Sequence, residues 1–333
     1  MRFPLRSGRA FWRHLLAALA LTFSLTLVAA ARAQPNGPYG ERFDVAWGLV
    51  AERYWDAAYG GLDWDALKLE YRPRAVAARN DRAFYGVLER LYDRLGDEHS
   101  VFVPPAKVAR IRRLYGDLPC LGVFGSQVGS QVDLQDGLQE VRADAGRLGR
   151  VRYRLDGSVG VVTVPDLATI GVAGDLRGAV RQLSEQGAEA FVLDLRGNPG
   201  GRLVEMMGAA GVFTRGFLWR TLTRWTLPLP YPALGVVETE KPLAVLIDKN
   251  VHSAAEGLAG ALQSSGRARV FGERSAGNVE AVLPFCLRDG SQAWIATGVL
   301  APLRGATWEG RGVVPDERTD RALGAALAYL RGR

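Results

Sequence analysis

The chain has 333 residues, of which 42 are Lys or Arg and 35 are Asp or Glu, for a formal net charge of +7 at pH 7. Its first 33 residues contain five arginines and no acidic residue, so only +2 belongs to the remainder. So small a charge gives no electrostatic case for binding nucleic acid. The two cysteines and three histidines lack metal-ligand spacing, so the sequence predicts neither a metal site nor a cofactor.

Residues 1–33 have the composition of a secretory signal peptide. An arginine-rich start is followed by the apolar run Leu15–Ala30 and by the small-residue motif Ala31-Arg32-Ala33. We therefore expect cleavage after Ala33 and export to a periplasmic or extracellular location. The alternative is an uncleaved membrane anchor, for which the apolar run is slightly short. We expect no stable membrane span after cleavage.

Residues 34–110 are predicted to form an N-terminal helical region. Two sets of apolar residues repeat with helical spacing, and Asp81 is the predicted N-cap of the second helix. The sets are Phe43, Trp47, Val50 and Tyr54, then Phe84, Val87, Leu88, Leu91 and Leu95. We interpret both stripes as core-packing surfaces.

Residues 111–150 show little periodicity and are predicted to be a linker, whereas residues 151–333 alternate strands with helices. This alternation predicts an α/β core with buried strands. The predicted strands are Gly157–Val164, Ala190–Leu195, Leu243–Ile247 and Arg269–Gly272, and the predicted helices are Asp175–Glu185 and two that begin near Leu203 and Ser253. Residues 213–232 are expected to be a loop or irregular strands. Whether Cys120 and Cys286 pair is left open.

Two segments carry the candidate chemistry. Asp194–Gly201 ends a strand in Asn-Pro-Gly-Gly, which puts several backbone N–H groups at a sharp turn where they can receive a negative charge. Ser253 begins a helix and has Glu256 three residues later, a capping box that stabilises a helix start without any chemistry. The Gly- and Ala-rich helix that follows instead favours a strand-to-helix nucleophile turn, with the Ala254 N–H as an oxyanion donor.

Four segments in order resemble the motifs of the carboxyl-terminal processing (tail-specific) serine peptidases and their tricorn-like relatives. They are Asp194–Gly201, Ser253–Glu256, Gly272-Glu273 and Glu309–Asp316. The resemblance extends from about Gly40 to the C-terminus. It implies a ClpP/crotonase-like core after a helical region, and endopeptidase cleavage of exported proteins near their C-termini. It also implies Ser253 as nucleophile, and the N–H groups of Ala254 and of Gly200 or Gly201 as oxyanion donors.

The chain departs from the best-known pattern of this family in two places. Peptidases of the Ser–Lys type carry a lysine where this chain has Asn278, and Lys249 lies on the wrong side of the Ser253 turn to replace it. Many relatives carry a peptide-binding PDZ domain where residues 118–150 lie, and this segment is too short for a complete domain. We therefore expect the PDZ domain to be absent or truncated.

A serine nucleophile needs a neighbouring base, and His99 and His252 are the candidates. His99 follows Gly96-Asp97-Glu98, which resembles a segment of the tricorn-like branch whose histidine is catalytic. Its other interpretation is a helix-end histidine beside the last carbonyls. His252 adjoins Ser253, and consecutive side chains usually diverge. The resemblance favours Glu309 as the carboxylate that orients the imidazole, and the alternative is an exposed loop acid.

These residues predict an exported serine endopeptidase of the Ser–His type that acts on an extended polypeptide. The first alternative is an inactive peptide-binding or scaffold homologue, favoured by Asn278 and by the missing PDZ domain. The second, an acyl-CoA enzyme of the crotonase type, is disfavoured because no phosphate-binding cluster is visible. The oligomeric state is left open.

Overall fold

The computed structural model describes residues 38–97, 99–115, 120, 123–124 and 147–332. The predicted signal peptide and most of the predicted linker or PDZ remnant lie outside the described residues. Within those residues, no helix combines the length and the apolar character needed to cross a bilayer.

The N-terminal region is helical, as its apolar periodicity predicts. It contains α1 (Pro38–Arg53), α2 (Trp64–Val76), α3 (Asp81–Tyr92) and α4 (Pro105–Tyr115), and a 3₁₀ turn at Asp93–Leu95 follows α3. The predicted N-cap at Asp81 is wrong by one residue. Asn80 is extended and its side chain accepts a hydrogen bond from the Ala83 N–H, so Asn80 caps α3.

The first sheet has seven strands among the described residues, in the order β13-β10-β9-β6-β5-β4-β3. Its parallel part comprises β5, β6, β9, β10 and β13, and β3 and β4 are antiparallel. The strands are β3 (Arg147–Leu148), β4 (Val151–Asp156), β5 (Val159–Thr163), β6 (Ala190–Asp194), β9 (Leu243–Ile247), β10 (Arg269–Gly272) and β13 (Glu317–Arg318). The loops that follow β6 and β9 therefore leave the same edge of the sheet, where ligand sites of such sheets lie.

Strands β5, β6 and β9 are buried on both faces of this sheet, and alternate side chains enter different cores. Val192 and Leu246 face the core that contains α8 (Ala322–Arg331). Leu193 and Val245 face the core of three other helices. These are α5 (Val172–Glu185), α6 (Leu203–Ala210) and α7 (Ala254–Ser264).

The second sheet, in the order β2-β11-β12-β7-β8, joins the helical region to this core. Its strands are β2 (Val123–Phe124), β7 (Phe217–Leu222), β8 (Leu229–Pro232), β11 (Glu280–Leu287) and β12 (Gln292–Pro302). Strand β1 (Val101–Val103), which lies between α3 and α4 in the sequence, also pairs with β12. Ile295 and Ala296 of β12 pack in the helical core, and Leu300 of the same strand packs in the core of α7.

The mixed α/β fold with an N-terminal helical region is confirmed. Residues 213–232 contain the antiparallel pair β7–β8, which supports the irregular-strand alternative. The open question about the cysteines is answered, because Cys120 and Cys286 form a disulfide. This bond joins the segment after α4 to β11.

Candidate active site

Ser253 lies on a strained turn between β9 and α7. Its φ of 53° and ψ of −123° are unusual for a residue with a side chain, and Tyr59 is the other non-glycine residue with positive φ in the described ranges. Such conformations cost about 1–3 kcal/mol and persist only where the surroundings impose them. The Ser253 side chain is thereby presented at the N-terminus of a helix, as a nucleophile turn requires.

The turn after β6 packs directly against Ser253. A Cβ atom on Gly200 would lie 2.8 Å from Cβ of Ser253 and 2.9 Å from the backbone nitrogen of Ala254, so only glycine permits this approach. The two loops are also hydrogen-bonded, because the His252 N–H donates to the carbonyl of Asn198 at 3.0 Å. The predicted nucleophile and oxyanion donors therefore lie together.

The Asn-Pro-Gly-Gly turn has an internal framework that holds its shape. Arg196 forms a bidentate ion pair with Asp194, with distances of 2.9 and 2.7 Å. The buried Asn198 side chain donates to the carbonyl of Val164 and accepts from the Gly200 N–H, both at 2.8 Å. The Gly200 N–H is therefore already engaged within the turn.

The predicted capping role of Glu256 is confirmed in the structure. The Ser253 N–H donates to Oε2 of Glu256 at 3.0 Å, which is one half of a capping box. The small residues of α7 also allow close packing, as predicted. A Cβ on Gly257 would lie 2.7 Å from the sulfur of Met206, so the helix lies close against α6.

His99 is held in place by the turn that precedes β1. Its backbone N–H and that of Ser100 both donate to Oδ1 of Asp97, at 3.1 and 2.7 Å. The Ser100 hydroxyl donates to Oδ2 of Asp97 at 2.7 Å and accepts from the Ala296 N–H of β12 at 3.0 Å. The histidine is thus anchored to the second sheet rather than being a loose helix end.

The imidazole of His99 pairs with a carboxylate that the sequence analysis missed. Nδ1 of His99 lies 2.8 Å from Oε2 of Glu280, and this glutamate side chain is only 4% exposed. Nδ1 also lies 3.2 Å from the carbonyl oxygen of Asp97. Both contacts involve Nδ1, so Nε2 is the ring nitrogen left to face a reacting hydroxyl. A buried glutamate opening an otherwise apolar strand was the available signal for Glu280.

Glu309 lies close enough to this pair to interact electrostatically with both Glu280 and His99. Its Oε2 accepts from the Val279 N–H at 2.7 Å. Burial and the negative charge of Glu280 raise the pKa of Glu309 to about 7, although the Val279 N–H and His99 oppose this. Burial disfavours the charged ring of His99, but Glu280 and Asp97 outweigh that effect and raise the pKa of His99 above its ordinary value.

The consecutive residues Asn278, Val279 and Glu280 each contact one of the predicted catalytic residues. The carbonyl of Asn278 accepts from the Ser253 N–H at 3.2 Å, Val279 binds Glu309, and Glu280 pairs with His99. Successive Cα atoms are about 3.8 Å apart, so this segment brings all three residues into one region. Among the described residues, no hydrogen bond joins the Ser253 hydroxyl to His99.

His252, the alternative base, has a different partner. Its Nδ1 lies 3.0 Å from Oδ1 of Asn278, the residue that stands where Ser–Lys peptidases carry lysine. The Asn278 side chain is thus directed to the neighbour of the nucleophile.

Two family models match parts of this chain. The family model described as Peptidase family S41 matches residues 158–319, and that of the Tricorn protease C1 domain matches residues 38–93. A carboxyl-terminal-processing protease from Synechocystis is 34% identical over 44% of this chain and 34% of its own length. The chloroplastic carboxyl-terminal-processing peptidase 3 of Arabidopsis thaliana is 25% identical over 83% of this chain and 68% of its own.

Solved structures show the same fold. A photosystem II D1 C-terminal processing protease aligns with a TM-score of 0.63 and 21% identity, covering 85% of this chain and 93% of its own. A Streptococcus agalactiae lipoprotein aligns with a TM-score of 0.67 and 18% identity, covering 89% and 97%. The family matches and the similar sequences support a serine peptidase, and hence a hydrolase. Over these parts the chain is similar to carboxyl-terminal-processing peptidases of family S41, and it spans only about a third of the length of the Synechocystis relative.

Proposed function

We propose that this chain is an exported serine endopeptidase that cleaves extended or unfolded polypeptides near their C-termini by Ser–His acyl-enzyme catalysis. The observation that carries the proposal is the segment 278–280, which contacts Ser253, Glu309 and His99 in succession. Export is supported by the signal-peptide composition of residues 1–33. The proposed domain division is 34–110 for the helical region, 111–150 for a linker or PDZ remnant, and 151–333 for the peptidase core.

In the proposed mechanism, Oγ of Ser253 attacks the peptide carbonyl carbon while Nε2 of His99 accepts the hydroxyl proton. The N–H groups of Ala254 and Gly201 donate to the oxyanion of the tetrahedral intermediate. The intermediate then expels the amine, which takes the proton from His99 and leaves an acyl-enzyme on Ser253. Water, deprotonated by His99, hydrolyses the ester and restores the serine.

The carboxylates beside His99 have an electrostatic role in this cycle. Glu280 lies on the Nδ1 side of the ring and stabilises the imidazolium that forms when the serine proton is transferred. Glu309 adds negative charge to the same region when it is ionised. The substrate is extended because only an unfolded segment can present its carbonyl to a serine held on a tight turn.

Substituting the two candidate histidines separately tests this proposal. We expect Ser253→Ala to abolish fluorophosphonate labelling and the cleavage of an unfolded test protein. His99→Ala should lower both rates by at least about 100-fold, the usual contribution of a general base. The matched control His252→Ala should retain most of the activity.

Mass spectrometry of the products shows whether the cleaved bonds lie near the C-terminus of the test protein. Normal labelling of folded His99→Ala together with loss in His252→Ala would identify His252 as the base. A folded wild type that is never labelled at Ser253 would contradict the peptidase and indicate a peptide-binding homologue.

A further inference from the structure

Glu256 makes more contacts than a helix cap needs. It is fully buried, and its two oxygens accept four hydrogen bonds. One comes from the Ser253 N–H and belongs to the capping box. The other three come from the segment 275–278, at 2.6 Å from the Ser275 hydroxyl, 2.7 Å from the Gly277 N–H and 3.0 Å from the Asn278 N–H. These three contribute nothing to the helix start.

The segment that Glu256 holds leads directly to the carboxylates near His99. Asn278 is followed by Val279, whose N–H binds Glu309, and by Glu280, which pairs with the ring. The same segment also holds the loop that carries Glu309. The Gly310 N–H donates to the Gly277 carbonyl at 2.7 Å, and the Val313 N–H donates to the Ser275 hydroxyl at 2.7 Å.

We propose that Glu256 is a positioning residue that fixes the strained Ser253 turn and joins it to the two segments that carry Glu280 and Glu309. This rests on the proposed function, because it assigns a role to Glu256 in the Ser253–His99 reaction. Glu256 touches neither substrate nor reacting atoms, and it acts through the backbone of Ser253. A misplacement of about 1 Å at a nucleophile can lower the rate about 100-fold, so loss of this support should slow the reaction.

The charge of Glu256 also reaches Glu309. Glu280, Glu256 and His99 are the charged groups that act on Glu309, and the negative charge of Glu256 contributes to raising its pKa. Removing that charge should lower the pKa of Glu309. A residue with a merely structural role would leave the pH dependence of the reaction unchanged.

The test compares Glu256→Gln with Glu205→Gln in the full chain. Glu205 is a matched control, since it is a buried carboxylate that accepts from the Gly171 and Ala173 N–H groups at the start of another helix, at 2.8 and 2.9 Å. We expect Glu256→Gln to lower the labelling rate of Ser253 and kcat by about 10- to 100-fold, with KM little changed. The position of its pH profile should change, because Glu309 ionises at lower pH in this variant. Glu205→Gln should change neither kcat nor the profile.

Glu256→Asp separates the loss of hydrogen bonds from the loss of charge. It also provides the test if Glu256→Gln does not fold. It keeps the charge but is one methylene too short to reach all four donors, so kcat should fall while the profile keeps its position. A folded Glu256→Gln with wild-type kcat and an unshifted profile would overturn the proposal, as would a wild-type kcat in Glu256→Asp. Absence of labelling in the wild type would contradict the proposed function instead.

Discussion

At the scale of single residues, the protonation of the site depends on the electrostatic interactions among Glu280, Glu309 and the imidazole of His99. Glu280 and Asp97 raise the pKa of His99, and burial together with Glu280 raises the pKa of Glu309 to about 7. A base must be neutral to accept a proton, so a raised pKa moves its useful range to higher pH. Ionised Glu309 in turn favours the imidazolium that forms in the reaction.

We therefore expect the rate at which a fluorophosphonate labels Ser253 to rise with pH through neutrality. In Glu309→Gln a negative neighbour is lost, which lowers the pKa of His99, so the rising limb should move to lower pH. The measurement is the labelling rate between about pH 5 and 9, with intact folding checked by circular dichroism at each pH. An identical profile in both proteins would show that Glu309 does not act on His99.

Ser253, Ala254 and the Gly-Gly turn were predicted as site residues from short local segments, and the structure places these segments next to one another. Glu280 was missed because its partner is 181 positions away and is set by the position of the Asp97 turn on β12. No spacing in the sequence encodes that contact.

At the scale of elements, the loop after β6 packs so closely against the start of α7 that no side-chain atom fits at Gly200. A Cβ on Gly200 would contact Ser253 and Ala254 at less than 3 Å, and its φ of 88° also disfavours a side chain. The sequence predicted both elements but not the closeness of their contact. It predicted a loop or irregular strands at residues 213–232, and β8 forms there at a sheet edge, where its prolines are tolerated.

Gly200→Ala should therefore nearly abolish labelling of Ser253, since the turn and the nucleophile must separate. Gly197→Ala is the control, because Gly197 has a similar positive φ of 71° but open space around its Cβ position. Both variants should lose about 1 kcal/mol or more of stability from backbone strain, but only Gly200→Ala should lose its reactivity. Equal labelling rates in the two folded variants would contradict this packing argument.

At the scale of the whole molecule, two hydrophobic cores each supply one half of the proposed catalytic pair. Ser253 begins α7 of the α/β core, and His99 follows the helices of the N-terminal core. The second sheet joins them, and the disulfide between Cys120 and Cys286 ties its strand β11 to the segment after α4. The sequence predicted both cores from their periodicity. It left the disulfide open, because the separation of two cysteines along the chain does not give their distance in space.

Because this disulfide closes a loop of 166 residues, its removal should increase the conformational freedom of the unfolded chain considerably. We expect the double variant Cys120→Ser/Cys286→Ser to lose about 2–5 kcal/mol of unfolding free energy, measured by denaturant titration. Reductant should destabilise the wild type by a similar amount and leave the double variant unchanged. Equal stability of wild type and double variant under oxidising conditions would contradict the expectation.

The order in which the site residues occur along the chain also bears on how the protein is made. A ribosome synthesises His99 early, Ser253 much later and Glu309 later still, and the segment 278–280 that gathers them is made between the last two. Under the proposed mechanism, a nascent chain has no complete hydrolytic centre until Glu309 has been added. Under the same mechanism, growing chains cannot cut one another while they are still being translated.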